Sequence, residues 1–337
     1  MSFVNKVWYE NSILGLCVRA LLLPFSFIFM CVTRLRRFLY AIGYKKSSAP
    51  PVPIVIVGGI SVGGSGKSPM CITLLNELEK RGFRVGLLSR GYKSQSKEFP
   101  LLVNNDSDPA MTGDEPLLIK QSTNAIVVVD PKRVRGANFL YKQGVDVIVC
   151  DDGLQHYALD RDVEIIVLDG ERMLGNGLLL PAGPLREGRW RLKSVDAVVV
   201  NGSLAPFGNF SMVLDTSSIV KIKDKTKASF KRGTKVCALA GIGNPERFYK
   251  TLEKQGFEVI KTISVSDHKT CDRRIILDIQ KSMPVIMTAK DAIKYDTLDM
   301  DNVYVLNVEG KLSNVFLEHI VKSIKDSFIK VNKRKEL

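Results

Sequence analysis

Residues 61–68 bring together the types that phosphate chemistry requires: Ser61, Val62, Gly63, Gly64, Ser65, Gly66, Lys67 and Ser68. Three glycines let backbone N–H groups turn inward toward phosphate oxygens, Lys67 can reach the outer phosphates of a nucleotide, and the Ser68 hydroxyl can ligate Mg²⁺. The usual first glycine of such a loop is replaced by Ser61. A second acidic signal follows the apolar run 145–150, where Asp151 and Asp152 stand as the carboxylates that flank Mg²⁺ in phosphoryl-transfer sites do. Adjacent residues of a strand point to opposite faces, so only one of the two is expected to meet the metal directly, and the sequence does not choose between them.

Other polar groups are more ambiguous. Gly113-Asp114-Glu115-Pro116 puts two acids before an apolar helix, an arrangement that also serves as an ordinary helix start. Asp267-His268 follows a strand-like run in the second half of the chain, where a histidine is most often a surface residue. The stretch from Gly170 to Glu187, rich in glycine and proline, could close over a sugar or a phosphate or form a structural Ω-loop.

These residues need a scaffold. The run 52–57 reads as a strand ending in glycines, 69–80 as a helix, and 83–88, 125–129 and 145–150 as strands. Runs at 164–168 and 197–200 extend the series, and strands alternating with helices predict a parallel, doubly wound sheet of the phosphate-loop NTPase kind. A basic segment over 213–233 reads as a linker between this catalytic lobe, residues 52–212, and a smaller α/β lobe over 234–330. Its expected elements are strands at 236–240, 258–263 and 285–288 and helices at 245–255, 273–281 and 314–329.

The chain has 337 residues, 45% of them hydrophobic, so two α/β lobes can bury cores. Six scattered cysteines without a C-x-x-C pair suggest neither a disulfide framework nor a zinc site, and a reducing compartment fits. A net charge of +14 attracts polyanions. Nucleic acid is disfavoured because zinc-finger spacing, RNP-like aromatics and a basic recognition helix are all missing.

The first 46 residues argue for a membrane surface instead. Between Arg19 and Arg34 lies a nearly apolar run of about 14 residues, short of the roughly 20 that span a bilayer. Extending it back to Ile13 places Arg19 in hydrocarbon, at about 2.5–3.5 kcal/mol. With Arg34, Arg36, Arg37, Lys45 and Lys46 following, a helical anchor in the interface is expected, with a single span or a buried core helix as alternatives.

Taken together, Gly63–Pro69, Leu88–Tyr92, Gly113–Pro116, Asp151–His156, Asn176–Glu187, Ala240–Pro245 and Met287–Ala292 resemble the tetraacyldisaccharide 4′-kinase family, in family order over residues 50 to 295. Ser61 agrees with that family, whereas Ala289, often acidic in it, departs. The resemblance implies ATP and Mg²⁺ as cofactors and transfer of the γ-phosphoryl group to the 4′-hydroxyl of a tetraacyl glucosamine disaccharide 1-phosphate. It also implies a monomer at the cytoplasmic face of a Gram-negative inner membrane.

By the same resemblance Asp114 is the catalytic base, with His268 reaching across from the second lobe to pair with it. Arg90, Tyr92, Glu115, Gln155, Asn176, Arg186 and Glu187 become substrate or nucleotide contacts. The rival readings are a phosphate-loop kinase for another acceptor, a membrane-attached switch ATPase, and a lipid-binding module without catalysis.

Overall fold

The structure is a computed structural model that describes residues 3–10, 12–202, 210–266, 269–295 and 298–335. His268 and its neighbour Asp267 lie outside the described residues.

Continuous runs of valine and isoleucine form strands buried on both faces, as parallel sheets demand. These are β1 (Ile54–Gly58), β2 (Val85–Ser89), β4 (Ile126–Val129), β5 (Val147–Asp151), β6 (Val163–Asp169) and β7 (Ala197–Asn201), with the short β3 (Leu101–Val103) antiparallel at the edge. They stand in the order β7-β6-β1-β5-β2-β4-β3. Helix α3 (Lys67–Lys80) and helix α5 (Asp114–Ser122), which follows the short α4 (Pro109–Thr112), cover one face of the sheet. Helix α6 (Arg133–Lys142) and the segments 153–160 and 170–195 on either side of β6 cover the other.

Residues 213–233, read above as a linker, begin instead within strand β8 (Phe210–Lys221). β8 pairs in parallel with β7 and antiparallel with β12 (Val303–Leu312), so one twelve-stranded sheet runs through both halves. The remaining strands, β9 (Lys235–Ala240), β10 (Glu258–Ser264) and β11 (Val285–Thr288), are parallel in the order β10-β9-β11-β12. The second half also carries α7 (Pro245–Lys254), α8 (Arg273–Ile279) and α9 (Ala289–Ala292).

The closing helix α10 (Asn314–Lys335), assigned from sequence to the second lobe, packs Phe316, Leu317, Ile320 and Ile324 into the core of the first half. Hence the halves are joined twice, through the β8–β12 pair and through this helix.

At the N-terminus α1 (Phe3–Tyr9) folds back on α2 (Ile13–Ala41), a 29-residue helix long and apolar enough by length and composition to cross a membrane. Only 17% of its most apolar window is buried, and Leu21, Phe25, Phe27, Ile28 and Val32 are exposed. The apolar helix expected from the sequence therefore forms, and it fits a membrane anchor. The Arg19 guanidinium Nε donates to the Val7 carbonyl at 2.6 Å and another nitrogen donates to the Glu10 carbonyl, so two of its donors are taken up by the segment at the end of α1. Ser26 docks the helix on the first half, donating to the Leu179 carbonyl at 2.9 Å and accepting from the Ala182 N–H at 3.0 Å.

Candidate active site

The phosphate loop leaves the carboxyl end of β1 and enters α3 at Lys67, the position at which open α/β sheets bind ligands. Gly66 caps the helix at φ +94°, and a Cβ there would come within 2.1 Å of the Asn201 amide nitrogen, so glycine is required on both counts. The loop is strapped in place by the glycine- and proline-rich segment. Val62 N–H donates to the Pro184 carbonyl at 2.8 Å and Arg186 N–H to the Ile60 carbonyl at 2.6 Å. This strap sets Arg186 beside the loop, where its guanidinium meets Asp152 at 2.9 Å.

Lys67 Nζ lies 3.8 Å from Asp152 Oδ1, an oxygen shielded from solvent that accepts no hydrogen bond. Ser65 Oγ, in the loop itself, is likewise buried without a hydrogen-bond partner. Asp152 adopts a left-handed backbone at φ +47°, a strained conformation for a non-glycine residue that turns it out of the line of β5. Burial works to raise Asp152, but Lys67 and Arg186 outweigh it and hold its carboxyl below the usual carboxylate value.

Its neighbour is set the other way. Burial, reinforced by Glu115 and Asp152 against the pull of Lys67 and Arg133, pushes Asp151 up to about 7. Its Oδ1 has the Cys71 thiol 3.8 Å away, on the α3 side of the sheet. The two acids thus face different surroundings, Asp151 at the end of β5 and Asp152 turned out of its line.

A buried carboxylate oxygen lacking a donor, beside a lysine, a serine and a phosphate loop, suits Mg²⁺, a hard cation that takes oxygen ligands and keeps several waters and phosphate oxygens in its shell. Among the described residues no group of three or more His, Cys, Asp or Glu side chains forms a metal cage, which such a cation does not need.

Asp114 and Glu115 open α5 near Asp151, and lysines from the second half reach them. Lys290 on α9 pairs with Glu115 at 2.8 Å and Lys294 approaches Asp114 at 3.7 Å. Glu187 accepts from Gln155 at 2.9 Å and from the Tyr157 hydroxyl, while Gln155 also donates to the Gly59 carbonyl at 3.3 Å. Arg90 and Tyr92 follow β2 at the same edge of the sheet and are exposed. Asn176, read from sequence as a substrate contact, uses its amide within its own loop, donating to the Ala182 carbonyl at 2.9 Å and accepting from the Leu178 N–H at 3.0 Å.

Basic groups rim this edge. Burial and the guanidiniums of Arg133, Arg161, Arg36 and Arg90 lower His156 to about 4. Arg37 on α2 stacks over Trp190 at 4.0 Å, beside a cleft of about 70 Å³ that Tyr157 and Glu187 also line, so α2 borders this cleft.

Sequence reading missed Asn201 and Arg247. Asn201 donates to the Ser65 carbonyl at 3.1 Å and accepts from Arg247 at 2.9 Å, tying the phosphate loop to α7. The only available signal was a polar residue ending an otherwise apolar strand at a sheet edge that binds ligands.

The family model for tetraacyldisaccharide-1-P 4′-kinase matches residues 18–325. The chain belongs to that family. A tetraacyldisaccharide 4′-kinase of Shewanella sp. (strain ANA-3) is 44% identical over 325 residues, covering 96% of each chain. One from Shewanella baltica (strain OS155) is 44% identical over 329 residues with the same coverage. Among solved structures, an "apo" form of LpxK from Aquifex aeolicus in complex with ATP superposes with a TM-score of 0.75 at 30% identity, covering 91% of this chain and 99% of that one. Family membership and the parallel sheet bear out the resemblance read from the ordered motifs.

Proposed function

We propose that this protein transfers the γ-phosphoryl group of ATP to the 4′-hydroxyl of a tetraacyl glucosamine disaccharide 1-phosphate, completing the 4′-phosphate of lipid IV-A in lipid A synthesis. The observation that carries the reading is the phosphate loop with Lys67 set against the donor-free oxygen of Asp152, in a chain whose relatives of nearly full length are named for this reaction.

Phosphoryl transfer asks the protein for in-line positioning and charge neutralisation rather than covalent chemistry. The loop amides and Lys67 hold the outer phosphates, and Arg186 supplies further positive charge beside Asp152. Ser68 and Asp152 would hold Mg²⁺, which when bound neutralises charge on the phosphate oxygens. Asp114 serves as base for the sugar hydroxyl, at the start of α5 and close to the loop's acidic flank. His268, its expected partner, lies outside the described residues. Gln155 and Tyr157 fix Glu187 at the mouth of the cleft beside α2, where we place the acceptor.

The anchor fits an enzyme whose substrate stays in the bilayer. We place α2 in the interface at the cytoplasmic face of the inner membrane and the protein there as a monomer. Ser26 and Arg37, about 16 Å apart along the helix, both touch the rest of the protein, which leaves the opposite apolar face for lipid.

The test is transfer of labelled γ-phosphate from ATP to a tetraacyl disaccharide 1-phosphate in mixed micelles with Mg²⁺, with Lys67→Ala as control. A labelled lipid that disappears in the control is the expected result. Phosphate release independent of the acceptor, with no labelled lipid, would refute the kinase reading in favour of a switch ATPase.

A further inference from the structure

The segment Met287–Ala292 was singled out in the sequence, yet neither nucleotide binding nor the base accounts for it. In the structure it ends β11 and forms α9, and the charged residues of α9 and of the turn after it face two ways. Lys290 pairs with Glu115 at 2.8 Å and Lys294 approaches Asp114 at 3.7 Å, both across the boundary between the halves. Lys294 also pairs at 2.9 Å with Asp291, whose side chain is almost wholly buried. Asp291 in turn accepts from the Gly241 N–H at 2.8 Å and from the Thr288 hydroxyl at 2.7 Å.

Gly241 begins the loop that lies on the phosphate loop. A Cβ on Gly243 would stand 2.7 Å from the Gly64 nitrogen, so the two backbones are in contact. One connected set of contacts therefore runs from Asp114 through Lys294 and Asp291 to Gly241, and along two residues of backbone to Gly64.

The charges explain why such a set would exist. Asp114, Glu115, Asp151 and Asp152 gather at one edge of the sheet, where Lys67 and Arg186 of the first half pair with Asp152. The second half supplies lysines to Asp114 and Glu115. Ion pairs as enclosed as Lys294–Asp291 contribute little net stability compared with apolar packing, so stability alone is a weak reason to keep them.

We propose that Lys290 and Lys294 are positioning residues for phosphoryl transfer: they clamp Glu115 and Asp114 to the second half, and Asp291 passes that hold to the 241–243 loop over the phosphate loop. The inference rests on the kinase reading above and names a part of the site that reading leaves without a role.

The experiment is a double-mutant cycle on Lys290→Met and Glu115→Gln, with Lys290→Arg alongside and folding checked by thermal melting. Once the wild-type protein has been shown to label the lipid acceptor, each single change lowers kcat by about 10-fold with KM for ATP nearly unchanged, and the double variant is no worse than the poorer single. Lys290→Arg, which keeps the charge, restores most of the rate. Losses that multiply in the double variant, or an arginine as damaging as methionine, overturn the clamp. A wild-type protein that labels no lipid overturns the kinase reading itself, and the two failures are thereby distinct.

Hydrogen exchange gives a second measurement that needs no acceptor. Lys294→Met should speed exchange of the Gly241 amide by about 10-fold while the amides of β11 keep their protection. Unchanged exchange at Gly241 would break the proposed link through Asp291.

Discussion

Asp151 lets the electrostatics of the site be tested without any substrate. Its carboxyl is raised from 3.8 to about 7, first by burial and then by Glu115 and Asp152. Between those two values the folded protein keeps a proton that the unfolded chain has lost, so stability falls as pH rises and the loss is complete just above pH 7. At about 1.4 kcal/mol per pH unit, the cost relative to a neutral side chain is roughly 1.6 kcal/mol at pH 5 and at most about 4 kcal/mol at pH 8.

Asp151→Asn has no proton to lose, so its advantage over the wild type should grow by about 2–3 kcal/mol between pH 5 and pH 8. At about 2 °C per kcal/mol for a chain of this size, that is a difference of roughly 5 °C in Tm. The assay is thermal melting of nucleotide-free protein in detergent with EDTA, at the two pH values. Titrating groups that do not interact with Asp151 cancel in the comparison of variant with wild type. A gain that is the same at both values, or a variant less stable than wild type at pH 8, would refute the assignment of Asp151 as the acid whose ionisation is costly.

Three further outcomes follow from the geometry. Asp114→Ala should cost on the order of 10²-fold or more in turnover with folding intact, read in the labelled-phosphate assay, and near-normal turnover would remove it as the base. Ser26→Val deletes both hydrogen bonds that dock α2 and leaves the Leu179 carbonyl and Ala182 N–H unpaired, which should cost about 2–4 kcal/mol and expose the 179–182 segment to protease. Replacing exposed Phe25 and Phe27 by glutamate should abolish flotation with anionic vesicles while leaving Ser26 docked, and retained flotation would exclude α2 as the lipid-facing surface.

What was legible in the sequence follows physical lines. The strands of the first half are buried on both faces, so they appear as unbroken apolar runs, and the phosphate loop and Asp151-Asp152 are marked by residue type and spacing. β8 was hidden because Phe210–Lys221 mixes polar and apolar residues and its partner β12 lies far along the chain. The placement of α10 is likewise a long-range packing outcome that no local pattern announces. Asn176 is ambiguous for a different reason: an amide that staples a loop, as this one does, and one that grips a sugar are the same residue in the sequence. Lys294 vanishes among 49 lysines and arginines, and Lys290 is marked only as part of the Met287–Ala292 motif, until the sheet brings them to Asp114 and Glu115.

The docking of α2 has a consequence for how deep the enzyme sits. A catalytic body on a slack tether would sample many heights above the bilayer and meet its acceptor only when the chain happened to dip. Here Arg19 is held by α1, Ser26 by the 179–182 segment and Arg37 by Trp190, so the helix is bolted to the body at three levels. With α2 lying in the interface as proposed, the protein carries its own depth gauge: these contacts fix the height of Lys67 and Asp114 above the bilayer, and turning the helix about its own axis by one residue, roughly 100°, would swing the body out of that setting.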